Sequence, residues 1–189
     1  MKKRTSLILL FLVFFVPVVI SVLLHSDWFE WRPDGTRAHG ELIEPVVELG
    51  EFRHEHQGEV VERDDLLDRW QLTHVTTGGC DEVCLESLYW LRQIRTAQDR
   101  HQLDIGLMLV AGETVSDETR SEIRELSEDF AIVDGATGAE LSARFPDSPG
   151  QRRYILDPDA NIIMSYAEDA DPNGIRRDLR RLLTWTQRD

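Results

Sequence analysis

Blocks of apolar positions along this chain change their period several times, and each change marks an element. The first block is the longest. Ser6 to Leu24 (SLILLFLVFFVPVVISVLL) contains no charged residue. At about 1.5 Å per helical residue it is long enough to cross a hydrocarbon core of roughly 30 Å. Lys2, Lys3 and Arg4 precede it, and basic flanks stay on the cytoplasmic side, so the remainder is expected to face outward. Trp28, Phe29 and Trp31 follow, a residue type that settles at membrane interfaces. Pro17 falls mid-span, where membrane helices tolerate it. Leu23-Leu24-His25-Ser26-Asp27 offers no small-x-small cleavage site, so the segment reads as an uncleaved anchor rather than a signal peptide. The expected layout is a basic tail at 1–5, a transmembrane anchor at 6–24, a polar stalk at 25–41 and an extracytoplasmic domain at 42–189.

Within that domain, Leu42 to Val61 carries the short runs Leu42-Ile43 and Val46-Val47 around Gly50 and Gly58, and reads as a small hairpin. Asp64 to Arg69 reads as a helical turn. Trp70 to Thr76 has apolar Trp70, Leu72 and Val75, a strand pattern with one break in phase. Thr77-Gly78-Gly79 is a turn. Cys84, Leu88, Leu91 and Ile94 then recur at helical spacing from Asp81 to about Gln98. Asp104 to Val110 is a nearly continuous apolar run, as in a parallel strand buried on both faces. Ser116 is placed to cap a second helix through Leu126, with Asp117 and Glu118 at its positive end. Phe130–Val133 reads as a strand and Gly138 to Arg144 as a helical turn. Arg153–Leu156 and Ile162–Tyr166 flank a five-residue turn, Asp157-Pro158-Asp159-Ala160-Asn161, and form a hairpin. Asp171 caps a closing helix with Pro172 in its first turn and Ile175, Leu179, Leu182 and Leu183 on its apolar face. Strand–helix alternation followed by a hairpin and a helix demands an α/β fold, a central mixed sheet flanked by helices. A cysteine pair opening the first helix completes a thioredoxin-like outline.

Charge narrows the partners. The chain has 21 Lys and Arg against 35 Asp and Glu, a net charge of −14. Without Lys2, Lys3 and Arg4 the count is 18 against 35, or −17. Such a surface repels nucleic acid and anionic lipid and suits basic proteins or cations. The sequence contains no phosphate loop, no G-x-G-x-x-G, no G-x-S-x-G and no H-E-x-x-H.

The chemistry rests on Cys80 and Cys84, the two cysteines of the chain. Two are too few for a disulfide framework, and they are consistent with an oxidising compartment. Their i, i+4 spacing puts Cβ atoms about 5–6 Å apart on a helix, whereas a disulfide wants about 3.8 Å. A bridge therefore requires Cys80 to leave helical geometry, which the helix entrance permits. The helix N-terminus favours thiolate at Cys80, while Asp81 and Glu82 oppose it. Two thiolates also suit a soft ion such as Cu(I). Cys80 and Cys84 are thus candidate catalytic thiols, candidate metal ligands, or a structural disulfide.

The stretch Trp70 to Arg95, WQLTHVTTGGCDEVCLESLYWLRQIR, resembles the copper-site region of the Sco/SenC cytochrome oxidase assembly proteins. The resemblance extends to the N-terminal anchor, the C-x-x-x-C motif, the hairpin Tyr154-Ile-Leu-Asp-Pro-Asp-Ala-Asn161 and the closing helix. More narrowly, His39-Gly-Glu-Leu-Ile-Glu-Pro45, Arg92-Gln93 and Asp178-Leu-Arg-Arg-Leu-Leu183 resemble stretches of small single-anchor transmembrane proteins associated with cytochrome oxidase assembly in proteobacteria. It implies a thioredoxin-like domain held in the periplasm by a single pass through the bacterial inner membrane. It also implies partners among cytochrome c oxidase subunits or other assembly factors, and Cu(I) as the possible cofactor. Two departures stand out. The family's third copper ligand, a histidine, would fall near Pro149, and no histidine follows His101. Asp81 replaces the proline beside the first cysteine. Pro149 instead resembles the cis-proline of thioredoxins. Other third-ligand candidates are His74, the alternating pair His54 and His56, and Met164, with Met108 reading as core. The expected activity is thiol reduction or transient Cu(I) handling during oxidase assembly. The alternatives are a general periplasmic thiol–disulfide oxidoreductase and a scaffold with a structural disulfide.

Overall fold

The computed structural model describes residues 13–16, 38–147 and 150–186. The chain divides into two units, 1–37 and 38–189. Of the first, residues 13–16 are described and are helical. The rest of the expected anchor, the basic tail and the stalk up to residue 37 lie outside the described residues. Among the described residues no helix is long and apolar enough to cross a membrane.

The second unit is a thioredoxin-like α/β fold. Its strands are β1 (Glu41–Glu48), β2 (Arg53–His56), β3 (Glu59–Glu62), β4 (Trp70–Thr76), β5 (Ile105–Ala111), β6 (Phe130–Val133), β7 (Gln151–Leu156) and β8 (Asn161–Tyr166). The helices are α1 (Glu82–Thr96), α2 (Asp117–Leu126), α3 (Gly135–Ser142) and α4 (Pro172–Thr186). Six strands form one sheet in the order β1-β8-β7-β4-β5-β6. β4 pairs parallel with β5, and β5 with β6, while β7 runs antiparallel to β4 and β8.

Every residue of β4 and β5 is buried. Trp70 and Leu72 enter the apolar layer with α1 and α4, and Val75 enters the opposite layer with Leu141 of α3. The break in phase of Trp70–Thr76 therefore records a strand covered on both faces. The α1 spacing resolves as read, with Cys84, Leu88, Leu91 and Ile94 all inward. Gly138 lets α3 lie against β5, because a Cβ there would overlap the Ala111 carbonyl. α3 begins at Gly135, three residues ahead of the turn expected from Gly138.

Two local expectations change. The apolar pairs Leu42-Ile43 and Val46-Val47 belong to β1, which joins the main sheet against β8 rather than forming the hairpin. Pro45 lacks an N–H, and an edge strand such as β1 accommodates it. The hairpin is the later pair β2–β3, a separate two-stranded sheet turned by Gln57 (φ 51°) and Gly58 (φ 86°). The β7–β8 turn is shorter than five residues, because Asn161 enters β8 and its N–H and side-chain amide bond the Asp157 carboxylate at 2.9 and 3.0 Å.

Asp178 of α4 closes the unit. It is 2% exposed, and its carboxylate accepts from the backbone N–H of His39 at 2.6 Å and of Gly40 at 3.1 Å. It also accepts the Tyr166 hydroxyl at 3.2 Å. His39 and Gly40 thus belong to the folded unit, although their polarity places them in the stalk. Burial, reinforced by Asp178, pushes the Tyr166 hydroxyl well above its usual range and keeps it a donor. Asp178→Ala strands these buried donors and should cost about 3 kcal/mol of unfolding free energy, measured by chemical denaturation.

Candidate functional site

β4 delivers the chain to the carboxyl edge of the sheet, where a Gly-Gly loop turns it into α1. That loop is pinned twice, by Gly112 N–H to the Thr76 carbonyl at 2.9 Å and by Glu113 N–H to the Gly78 carbonyl at 3.2 Å. Cys80 precedes Asp81, the N-cap, whose backbone is extended (φ −92°, ψ −171°). Cys80 therefore lies outside the helix, the condition its spacing from Cys84 requires. The two form a disulfide with Cα atoms 5.1 Å apart. Cys84 is fully buried, and Cys80 is partly exposed.

Asp81 organises the surroundings. Its Oδ1 accepts the Cys84 N–H at 2.9 Å and the Gln151 side-chain N–H at 2.9 Å. These donors, the Cys84 amide foremost, hold the Asp81 carboxyl below its usual range. The Gln151 amide nitrogen is committed to Asp81, so its oxygen must accept. It lies 3.2 Å from His74 Nε2, which therefore carries the proton. A chain of bonds thus runs from His74 on β4 through Gln151 on β7 to the cap of α1. Burial drives the His74 imidazole down to about 4, with the Arg153 charge adding in the same sense and the Gln151 bond opposing. His74 is neutral at pH 7, and its buried Nδ1 has no hydrogen-bond partner among the described residues.

A cleft of about 520 Å³ opens beside the disulfide, lined by Thr77, Gly79, Cys80, Val115, Ser116 and Gln151 among others. Cys80 borders this cleft, while Cys84 is fully buried. Once the bridge is reduced, the free amides at the start of α1 favour a Cys80 thiolate. The ionised Asp81 next to it works against that charge.

The remaining candidates are dispersed. His54 and His56 do share one side of β2, their rings stacked with centroids 6.5 Å apart. They serve other partners: His54 Nε2 and Arg120 Nη2 lie 3.0 and 2.7 Å from the Asp134 carboxylate, and His56 Nε2 lies 3.8 Å from Asp117. Met108 is core as read. Met164 is 4% exposed, and its sulfur lies 3.4 Å from the Tyr166 hydroxyl oxygen. Ser148 and Pro149 lie outside the described residues, and the expected cis-proline with them.

Two cysteine sulfurs are present, with a carboxylate and an amide beside them, which are hard donors and poor partners for Cu(I). His74 Nε2 is engaged with Gln151, and Met164 faces Tyr166. Among the described residues no group of three or more His, Cys, Asp or Glu side chains is placed to hold a metal. The residues fit a dithiol–disulfide pair and do not fit a three-ligand copper site.

Sequence reasoning found both cysteines but missed Gln151 and the capping role of Asp81. Asp81 had a legible signal, an Asp ahead of a helical apolar pattern. Gln151 had none, since only the pairing of β7 with β4 brings it to the site.

Fold and site together define a thioredoxin-like domain with a cysteine pair at the entrance of its first helix. The family model of the transmembrane-like, thioredoxin-like C-terminal domain matches residues 70–186, more than half of the chain. The chain belongs to this family. No curated protein matches it. Among solved structures it is similar to yeast Sco1 with copper bound, at TM-score 0.59 and 13% identity, covering 75% of this chain and 95% of that one. It is also similar to BsSco, a member of the Sco family of cytochrome c oxidase assembly proteins in which a disulfide switch was identified. There the TM-score is 0.51 with 13% identity, covering 72% of this chain and 94% of that one. A putative protein disulfide isomerase from Bacteroides thetaiotaomicron matches at TM-score 0.55 and 12% identity, covering 75% and 89%. At these identities the likeness shows a shared fold.

Two outcomes follow from the relay. Asp81→Asn keeps the cap and removes a charge beside Cys80, so the reduction potential should rise by about 10–20 mV, read in a glutathione redox titration. His74 binds its proton more weakly folded (about 4) than unfolded (6.5), so its contribution to stability is full above pH 6.5 and declines as pH falls toward 4. The buried His54, also lowered, acts in the same sense. His74→Gln should reduce the stability lost over that window by about 3 kcal/mol, measured by denaturation at several pH values.

Proposed function

We propose that this chain is a membrane-anchored factor that exchanges thiols and disulfides on its clients during cytochrome c oxidase assembly. The observation that carries the reading is the bridge between a partly exposed Cys80 and a buried Cys84 at the start of α1, beside an open cleft. Likeness to Sco structures supports the oxidase setting. The apolar segment Ser6–Leu24 and its basic flank support an inner-membrane anchor with the domain in the periplasm, near membrane-embedded subunits.

In the reduced protein, the Cys80 thiolate attacks one sulfur of a client disulfide. A mixed disulfide forms, and the other client sulfur leaves as thiolate. Cys84, as thiolate, then attacks the Cys80 sulfur, expelling the second client thiolate and closing the Cys80–Cys84 bridge. The client gains two electrons and this protein loses two, so turnover needs an external dithiol reductant. Thiols delivered in this way are the form in which a client can take up copper. A role for the pair in transient Cu(I) handling rests on the same two sulfurs, with no third ligand beside them among the described residues.

A general oxidoreductase of the same compartment is the second reading, favoured by the likeness to the putative disulfide isomerase. Cys84→Ser leaves Cys80 to trap clients as stable mixed disulfides. The oxidase reading expects oxidase subunits or assembly factors to dominate the trapped species, and a broad range of clients would favour the second reading. In cells, Cys80→Ser/Cys84→Ser should lower oxidase activity, with rescue by added dithiol and not by added copper. Rescue by copper alone would sink the thiol role.

A further inference from the structure

The helix that carries Cys84 also exposes apolar side chains that the described core does not use. Val83, Tyr89 and Trp90 are 40%, 42% and 38% exposed. Val83, Glu86, Ser87 and Trp90, at spacings of three, one and three, form one stripe of α1. Facing it is the segment after β8, with Glu168, Asp169, Ala170 and Pro172. The groove between them, about 350 Å³, is floored by Arg153. Arg153 is 4% exposed and braces that segment by donating to the carbonyls of Ala167 (3.3 Å) and Glu168. Its Nε is buried and has no hydrogen-bond partner among the described residues. Tyr89 packs edge-on against Trp90 at 5.5 Å, and the Trp90 Nε1–H points to Glu86 at 3.4 Å, so the partly exposed indole is held in place where it lines the groove.

Charge selects the occupant. Glu86, Glu168 and Asp169 outnumber Arg153 three to one among the lining residues. An aromatic face beside an excess of carboxylates attracts a lysine or arginine side chain, through cation–π contact and ion pairing, and repels an acidic one. Position ties the groove to the thiols. Gln151 lines the cleft beside Cys80, and Arg153, two residues on and on the same face of β7, floors the groove, a step of about 7 Å. From Asp81 to Trp90 the helix rises about 13 Å, the span of about four extended residues.

We propose that this groove docks a basic segment of the client protein, seating a lysine or arginine side chain against Trp90 between Glu86 and the Glu168–Asp169 segment, about four residues from the cysteine presented to Cys80. The inference deepens the thiol-exchange reading by naming the chemistry of the client.

The test uses the full-length oxidised protein in a neutral detergent at low salt. Two fluorescent peptides carry serine at the client cysteine position and either arginine or glutamate four residues away. By anisotropy, the arginine peptide should bind about tenfold more tightly than the glutamate peptide. Trp90→Ala, and separately Glu168→Gln/Asp169→Asn, should bring the two peptides to within about twofold with the melting temperature unchanged. Raising the salt to about 0.5 M should shrink the difference. No binding, equal binding, or a preference that survives in both variants overturns the proposal. The cysteine versions of the peptides, each carried as a mixed disulfide with glutathione and offered to reduced Cys84→Ser, test the chemistry apart from the docking, because the Cys80 thiolate can then attack the peptide sulfur and expel glutathione as thiolate. Arginine preference without any mixed disulfide removes the thiol reading and keeps the groove. Mixed disulfides formed equally with both peptides, with no binding preference, remove the groove and keep the thiol reading.

Discussion

The site hangs on one constraint, the burial of β4 on both faces with β5 parallel on one side and β7 antiparallel on the other. Parallel pairing sends the chain out at the carboxyl edge and obliges it to return through a helix. The Gly-Gly turn is where that return begins, and the cysteines stand at it. Antiparallel pairing with β7 brings Gln151 opposite Thr76, at the same edge. One strand thus carries His74 in its interior, leads to Cys80 at its exit and recruits Gln151 from the far end of the domain.

Electrostatics at this edge are balanced rather than one-sided. The start of α1 offers free amides and the positive end of its dipole, conditions that favour thiolate. Asp81 takes one amide for itself and places a carboxylate next to Cys80, which limits that effect. Gln151 and the neutral His74 behind it hold the carboxylate in place. A Sco-type proline in the position of Asp81 would contribute neither the charge nor the side-chain cap. The charge of Asp81 and the lack of any histidine after His101 both count against soft-metal ligation at the pair.

The acidic surface, which by composition alone speaks only of solubility and a basic partner, gains a location. Glu86, Glu168 and Asp169 come from elements far apart in the chain and meet around Trp90, on the helix that carries Cys84. Arg153 holds the loop that brings them there, so its buried charge has an architectural use beyond compensation.

The sequence by itself determined most of the elements and the two cysteines on which the proposed chemistry rests. Continuous apolar runs marked β5, helical spacing marked α1 and α4, the Ser116 cap marked α2, and the C-x-x-x-C motif marked the thiols, because these signals are local. It also identified the absence of a histidine where a Sco ligand belongs. Tertiary structure decided what depends on pairing across distance. Leu42-Ile43 and Val46-Val47 looked like a hairpin because apolar pairs between glycines carry no record of which strand they join, and only β8 assigned them to the sheet edge. His74 could not be read from its neighbours, since a strand buried on both faces loses the alternation that reports direction. Its link to Gln151, the cap on α1 and the groove at Trp90 exist because strands and loops separated by scores of residues meet at one edge, a fact no window of sequence contains.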